Sequence, residues 1–95
     1  REEEAEQPAT FQLLGNYPNP FNPSTRIRFY LPDAAHAKLT IYDALGRQVA
    51  TAVNETRASG WHDIAFDAGG LPGGLYFYRL TAGRFSQVRQ MVYMP

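Results

Sequence analysis

The sequence contains no cysteine, which excludes disulfides, thiolate nucleophiles and cysteine-ligated zinc together. No apolar run approaches the roughly 18 residues that a membrane-crossing helix needs. No window of about 11 residues keeps apolar side chains at helical spacing without a glycine or proline intervening, so helices are not expected. The start lacks a basic stretch followed by an apolar one, and therefore does not read as a secretory signal. Net charge is zero, but four of the nine acids lie in Arg1-Glu2-Glu3-Glu4-Ala5-Glu6. Residues 7–95 hold eight basic and five acidic side chains, a dispersed +3 that is too mild for a nucleic-acid footprint. The chain is expected to be a piece of a longer protein, with residues 1–10 as an acidic linker tail.

What is present is a core. The chain is 44% hydrophobic and 14% aromatic, which excludes intrinsic disorder. Residues 16–25, Asn-Tyr-Pro-Asn-Pro-Phe-Asn-Pro-Ser-Thr, hold three prolines and three asparagines and predict a rigid, extended, non-helical segment. Phe21 is expected to cover one end of the domain. Strands are predicted over 11–14, 25–31, 37–43, 48–53, 61–67, 75–81 and 85–94, separated by turns rich in Gly, Pro and Asp. About seven short strands, with turn signals every eight to twelve residues or so, predict an antiparallel β-sandwich. Alternation puts Ile27, Phe29 and Leu31 on one face of their strand and His62, Ile64 and Phe66 on one face of theirs, each strand having a buried and a wet face. Val88, Met91 and Val92 are the apolar positions expected to face the core, but they break strict alternation, which predicts a bulge or a change of buried face at the end of the last strand. Tyr76 is either a tyrosine corner or an ordinary core tyrosine. With terminal residues contributing little unless docked, residues 93–95 are expected to be dispensable for folding.

Catalytic patterns are absent. His36 and His62 lack zinc-ligand spacing, and His62 is expected to be hydrogen-bonded at the core edge. Ser24, Ser59 and Ser86 lack a nucleophile elbow. The glycine run 69–74 precedes neither a lysine nor a helix, and reads as a tight turn rather than a phosphate cradle. Asn54-Glu55-Thr56 fits a glycosylation sequon and is expected to be a surface turn. No catalytic, cofactor or metal residue is assigned. If the second and third strands pair as a hairpin, Arg26, Arg28 and Tyr30 would lie beside Lys38, Thr40 and Tyr42. That stripe is either a recognition surface, centred on Arg26, Arg28, Tyr30 and Lys38, or a set of solvated cross-strand pairs. Trp61 would add a second flat platform, which leaves open a carbohydrate-binding or structural accessory module of a secreted glycoside hydrolase.

Five blocks carry a further likeness: N-Y-P-N-P-F-N-P-S-T-R-I-R-F-Y-L-P, L-T-I-Y-D-A-L-G-R-Q-V, G-W-H-D-I-A-F-D, G-L-Y-F-Y-R-L-T-A-G and Q-V-R-Q-M-V-Y. In this order they resemble the C-terminal sorting domain of type IX secretion cargo, whose fold is similar to the Ig-like domain of flagellar hook-capping proteins. The resemblance implies an Ig-like, fibronectin III-like sandwich over 11–95 that is not an enzyme and takes no cofactor. It implies a sorting signal in Bacteroidota, exported through the periplasm to the cell surface or beyond. The implied partners are the outer-membrane translocon, a sortase-like peptidase and an N-terminal cargo domain in the same chain, with no nucleic acid. Carried onto this sequence, the motif positions are Pro18, Asn19, Pro20, Tyr42, Asp43, Gly46, Gly74, Tyr76, Tyr78, Val88, Arg89, Met91 and Val92. The last block departs from the family in having Arg89-Gln90-Met91 where a lysine is common, and in ending Tyr93-Met94-Pro95 without a basic residue.

Overall fold

A computed structural model describes residues 10–95; the predicted linker tail, except Thr10, lies outside the described residues. Seven strands follow in order: β1 (Gln12–Leu13), β2 (Ser24–Leu31), β3 (Ala35–Asp43), β4 (Gln48–Arg57), β5 (Gly60–Asp67), β6 (Gly74–Ala82) and β7 (Phe85–Tyr93). They form two antiparallel sheets, β1-β2-β5 and β4-β3-β6-β7. This three-plus-four division, with the fourth strand on the second sheet, is the fibronectin III-like variant of the Ig sandwich.

The core forms because alternation is kept where both sheets face each other. Ile27, Phe29 and Leu31 from β2 meet Leu39 and Ile41 from β3 and Tyr78 and Leu80 from β6, all fully buried. Each such side chain contributes about 1.5–3 kcal/mol relative to exposure. Ile64 and Phe66 of β5 also face inward, as alternation predicts.

Three expectations need correction. β2 and β3 are consecutive but do not pair: β2 lies between β1 and β5, whereas β3 lies between β4 and β6. The chain crosses from one sheet to the other at Pro32-Asp33-Ala34, a bend in which Pro32 supplies no amide for a hairpin ladder. Second, β4 continues to Arg57, because Ala35–Lys38 pairs with Asn54–Arg57. The sequon therefore sits within a strand rather than a turn, with Asn54 Oδ1 2.7 Å from His36 Nε2. Third, β7 carries no bulge. Its register on β6 is regular from Phe85 to Tyr93, and irregularities occur instead between β3 and β4.

The inward series of β7 is consequently Phe85, Gln87, Arg89, Met91 and Tyr93, while Val88 points outward and is 45% exposed. Two polar residues occupy inward parity because β1 is only two residues long and covers little of the start of β7. Arg89 uses the gap: its Nε donates to the Leu13 carbonyl at 2.6 Å, bridging the two sheets.

Candidate functional site

The proline-rich segment reaches its position through a small polar knot. The Asn16 amide donates to the Pro18 carbonyl at 3.2 Å and to Thr25 Oγ1 at 3.0 Å. Thr25 Oγ1 donates in turn to the Pro18 carbonyl at 2.9 Å. With Pro18 fixed against the start of β2, the next residues run to the end of β7. Asn19 Oδ1 accepts from the Val92 amide at 3.0 Å. The Phe21 amide donates to the Val92 carbonyl, and the Met94 amide donates to the Phe21 carbonyl, both at 3.0 Å. Phe21 thereby forms a parallel bridge with Tyr93. Its ring is buried against Tyr93, stacked at 5.4 Å, and against the edge of Phe66 at 6.4 Å. As expected, Phe21 closes one end of the sandwich.

The same end holds the β3–β4 turn. Asp43 accepts from the Arg47 and Leu45 amides and from Arg47 Nε, all within 2.8–2.9 Å. Gly46 takes φ of 85°, which a side chain would strain. The Arg47 amide foremost, aided by the Arg47 side chain and the Leu45 amide, holds the Asp43 carboxyl below its usual range despite some opposing desolvation. A lowered folded-state value means the turn gains stability above the ordinary carboxylate pKa and loses it as pH falls through the lower folded one. NMR titration should therefore show the Leu45 and Arg47 amides shifting together, with a midpoint below 3.8. A midpoint at or above that value would mean the turn bonds do not form.

Tyr76 lies opposite Asp43 on one side and Met91 on the other. Its hydroxyl donates to the Pro72 carbonyl, four residues upstream, so it is a tyrosine corner on the penultimate strand. Burial pushes its pKa up, with Asp43 adding to the shift. Tyr78, fully buried, donates to the Leu14 carbonyl at 2.8 Å and ties β6 to the end of β1. Gly74 pairs with Tyr93. Beside it, a Cβ at Gly73 would come within 2.6 Å of Pro95, so the turn and chain end fit only without one.

The motif positions, spread over 18–92 in sequence, thus largely gather at one end of the four-stranded sheet. Pro18, Asn19 and Pro20 lead onto the end of β7; Asp43 and Gly46 cap β3; Gly74 and Tyr76 begin β6; Met91 and Val92 finish β7. Tyr42, Tyr78, Arg89 and Val88 step away from that end along the sheet. Missing from the sequence-derived set are Asn16, Thr25 and Phe21's partner Tyr93. A signal for Tyr93 was its parity with Met91; the Asn16–Thr25 knot had none.

The proposed basic stripe is not brought together, since its two strands belong to different sheets. Arg26 and Arg28 point outward from β2, and Lys38 points outward from the opposite sheet. Tyr30 is buried beneath Trp61, their rings 5.0 Å apart. Arg26 pairs with Asp63 at 3.4 Å, and the Arg28 guanidinium lies 4.7 Å above the Trp61 ring. The flat faces suggested for a sugar are thus engaged by neighbouring protein groups.

His62 sits at the core edge as expected, stacked on Phe29 at 5.2 Å, with Nε2 donating to the Ala58 carbonyl at 2.8 Å. Among the described residues, no three His, Asp or Glu side chains converge as a metal site. Among the described residues no helix is long and apolar enough to cross a membrane.

These features define a small all-β module whose distinctive residues serve its closure and its surface. A family model described as the secretion system C-terminal sorting domain matches residues 16–94. The chain belongs to this family of type IX secretion sorting domains, which are non-catalytic. No curated protein and no solved structure matches it.

Proposed function

We propose that this domain directs a cargo, joined to its N-terminal side, across the outer membrane and on to the cell surface. On this reading the translocon recognises the folded sandwich, and a sortase-like peptidase then cuts in the chain that precedes it. The observation that carries the reading is the family match over nearly all the described residues. The convergence of its motif positions on one end of one sheet supports a folded, rather than linear, signal.

The test is a fluorescent reporter fused to residues 1–95 behind a periplasmic export signal, in a host with active type IX machinery. Surface fluorescence accessible to external protease is expected. Retention in the periplasm, while another cargo of the same host is displayed, would refute the sorting role.

A further inference from the structure

β7 is an edge strand, and only part of its outer edge is closed. In an antiparallel ladder, successive residues direct their backbone groups alternately toward and away from the neighbour. Val92 directs its amide and carbonyl away from β6, where Asn19 and Phe21 take them. The same parity turns the amides and carbonyls of Val88 and Gln90 outward, and among the described residues these have no hydrogen-bond partner. The regular register keeps this edge straight enough to template another strand. The opposite edge, β4, is distorted by the irregularities against β3, a common way of blunting an edge.

A groove of about 420 Å³ runs beside the open stretch, lined by Gly15, Asn16, Asn19, Phe77, Val88, Arg89 and Gln90. Three features give it the character of a peptide slot. Val88 and Phe77 supply apolar surface on the outer face, while Arg89 is the one charged residue in the lining. Asn16, a residue over nine-tenths buried whose Oδ1 is unpartnered and closed off from solvent, gives the groove a fixed polar floor. Finally, the same edge already accepts a backbone bridge further along, where Phe21 pairs with Tyr93 in parallel.

We infer that the open β7 edge from Ser86 to Gln90 is a strand-addition site for an extended peptide of the secretion machinery, with alternating apolar and acidic side chains. This rests on the sorting role above and names the surface through which it works. Backbone bonds to Val88 and Gln90 supply affinity, the apolar side chains lie along Phe77 and Val88, and a carboxylate faces Arg89.

Val88→Pro tests this directly, because it removes an outward amide while leaving the ladder to β6 intact. Val88→Lys is the second variant: it keeps every backbone group but places a charged chain on the apolar side of the slot. Both are compared with the unaltered 95-residue domain in the reporter assay, alongside thermal melting and sedimentation. Expected are at least a tenfold loss of display for Val88→Pro and a smaller loss for Val88→Lys, each with a melting temperature near that of the parent. Normal display of a folded Val88→Pro domain would overturn the inference while the sorting role stands. If Val88→Pro does not fold, normal display of Val88→Lys has the same force. A dimer of the parent that Val88→Lys dissociates would assign the edge to a second copy and overturn the inference too. Failure of the parent itself to reach the surface would remove the sorting role, and this inference with it.

Discussion

Replacing Phe21 by alanine should destabilise the domain by about 3–5 kcal/mol, the usual cost of truncating a buried Phe. The ring is buried at the closed end of the sandwich and contacts both Tyr93 and Phe66. Those partners come from different sheets, so the space left cannot be filled by a simple collapse of one side. Domains of this size have total stabilities of roughly 5–15 kcal/mol. Their melting temperatures move by about 4–8 °C per kcal/mol. Thermal melting of Phe21→Ala should accordingly show a fall well beyond 10 °C. Leu45→Ala is the control, since Leu45 is 79% exposed at the tip of the β3–β4 turn; its effect should stay within about 0.5 kcal/mol. Equal, small shifts for both would show that the proline-rich segment is not packed on the core.

The second large effect is expected at the chain end. Deleting Met94 and Pro95 removes two exposed side chains and one backbone bond to Phe21, a loss of about 1 kcal/mol. Deleting Tyr93 as well removes a residue that is 6% exposed, stacked on Phe21 and paired with Gly74. That adds the cost of an emptied aromatic site, again about 3–5 kcal/mol. Melting curves should show a cooperative transition for the shorter deletion and a transition displaced far downward, or absent, for the longer one. This reverses the expectation that 93–95 are dispensable, because Tyr93 is docked. Similar melting temperatures for the two truncations would place Tyr93 outside the core.

Much of the buried surface could be read from the sequence, because alternation reports which face of a strand meets the core. Ile27, Phe29 and Leu31 needed no knowledge of their neighbours to be placed inward. Alternation does not report which strand lies alongside, and β2 finds its long partner β5 only after the two strands of the other sheet have intervened. The basic stripe failed for that reason: its residues were assigned sound faces on a pairing that does not form. Val88 misled in a different way. Its apolar side chain suggested burial, but parity with Met91 and Tyr93 turns it outward and puts Gln87 and Arg89 inward, near a rim that short β1 scarcely covers. Thr40 is buried despite its polarity because β3 is central, flanked on both sides. The side-chain knot of Asn16, Pro18 and Thr25 arises from tertiary proximity and has no periodic signature.

The clasp between Phe21 and residues 92–94 joins a segment made early to the last residues of the domain. Long-range closure of this kind waits until its distant partner is present. A nascent chain cannot complete the sandwich until Tyr93 has been made, and a chain broken off before that residue has Phe21 without its partner. The fold therefore distinguishes chains that carry all of β7 from those that lack its end: whatever recognises the closed sandwich also verifies that synthesis has passed Tyr93.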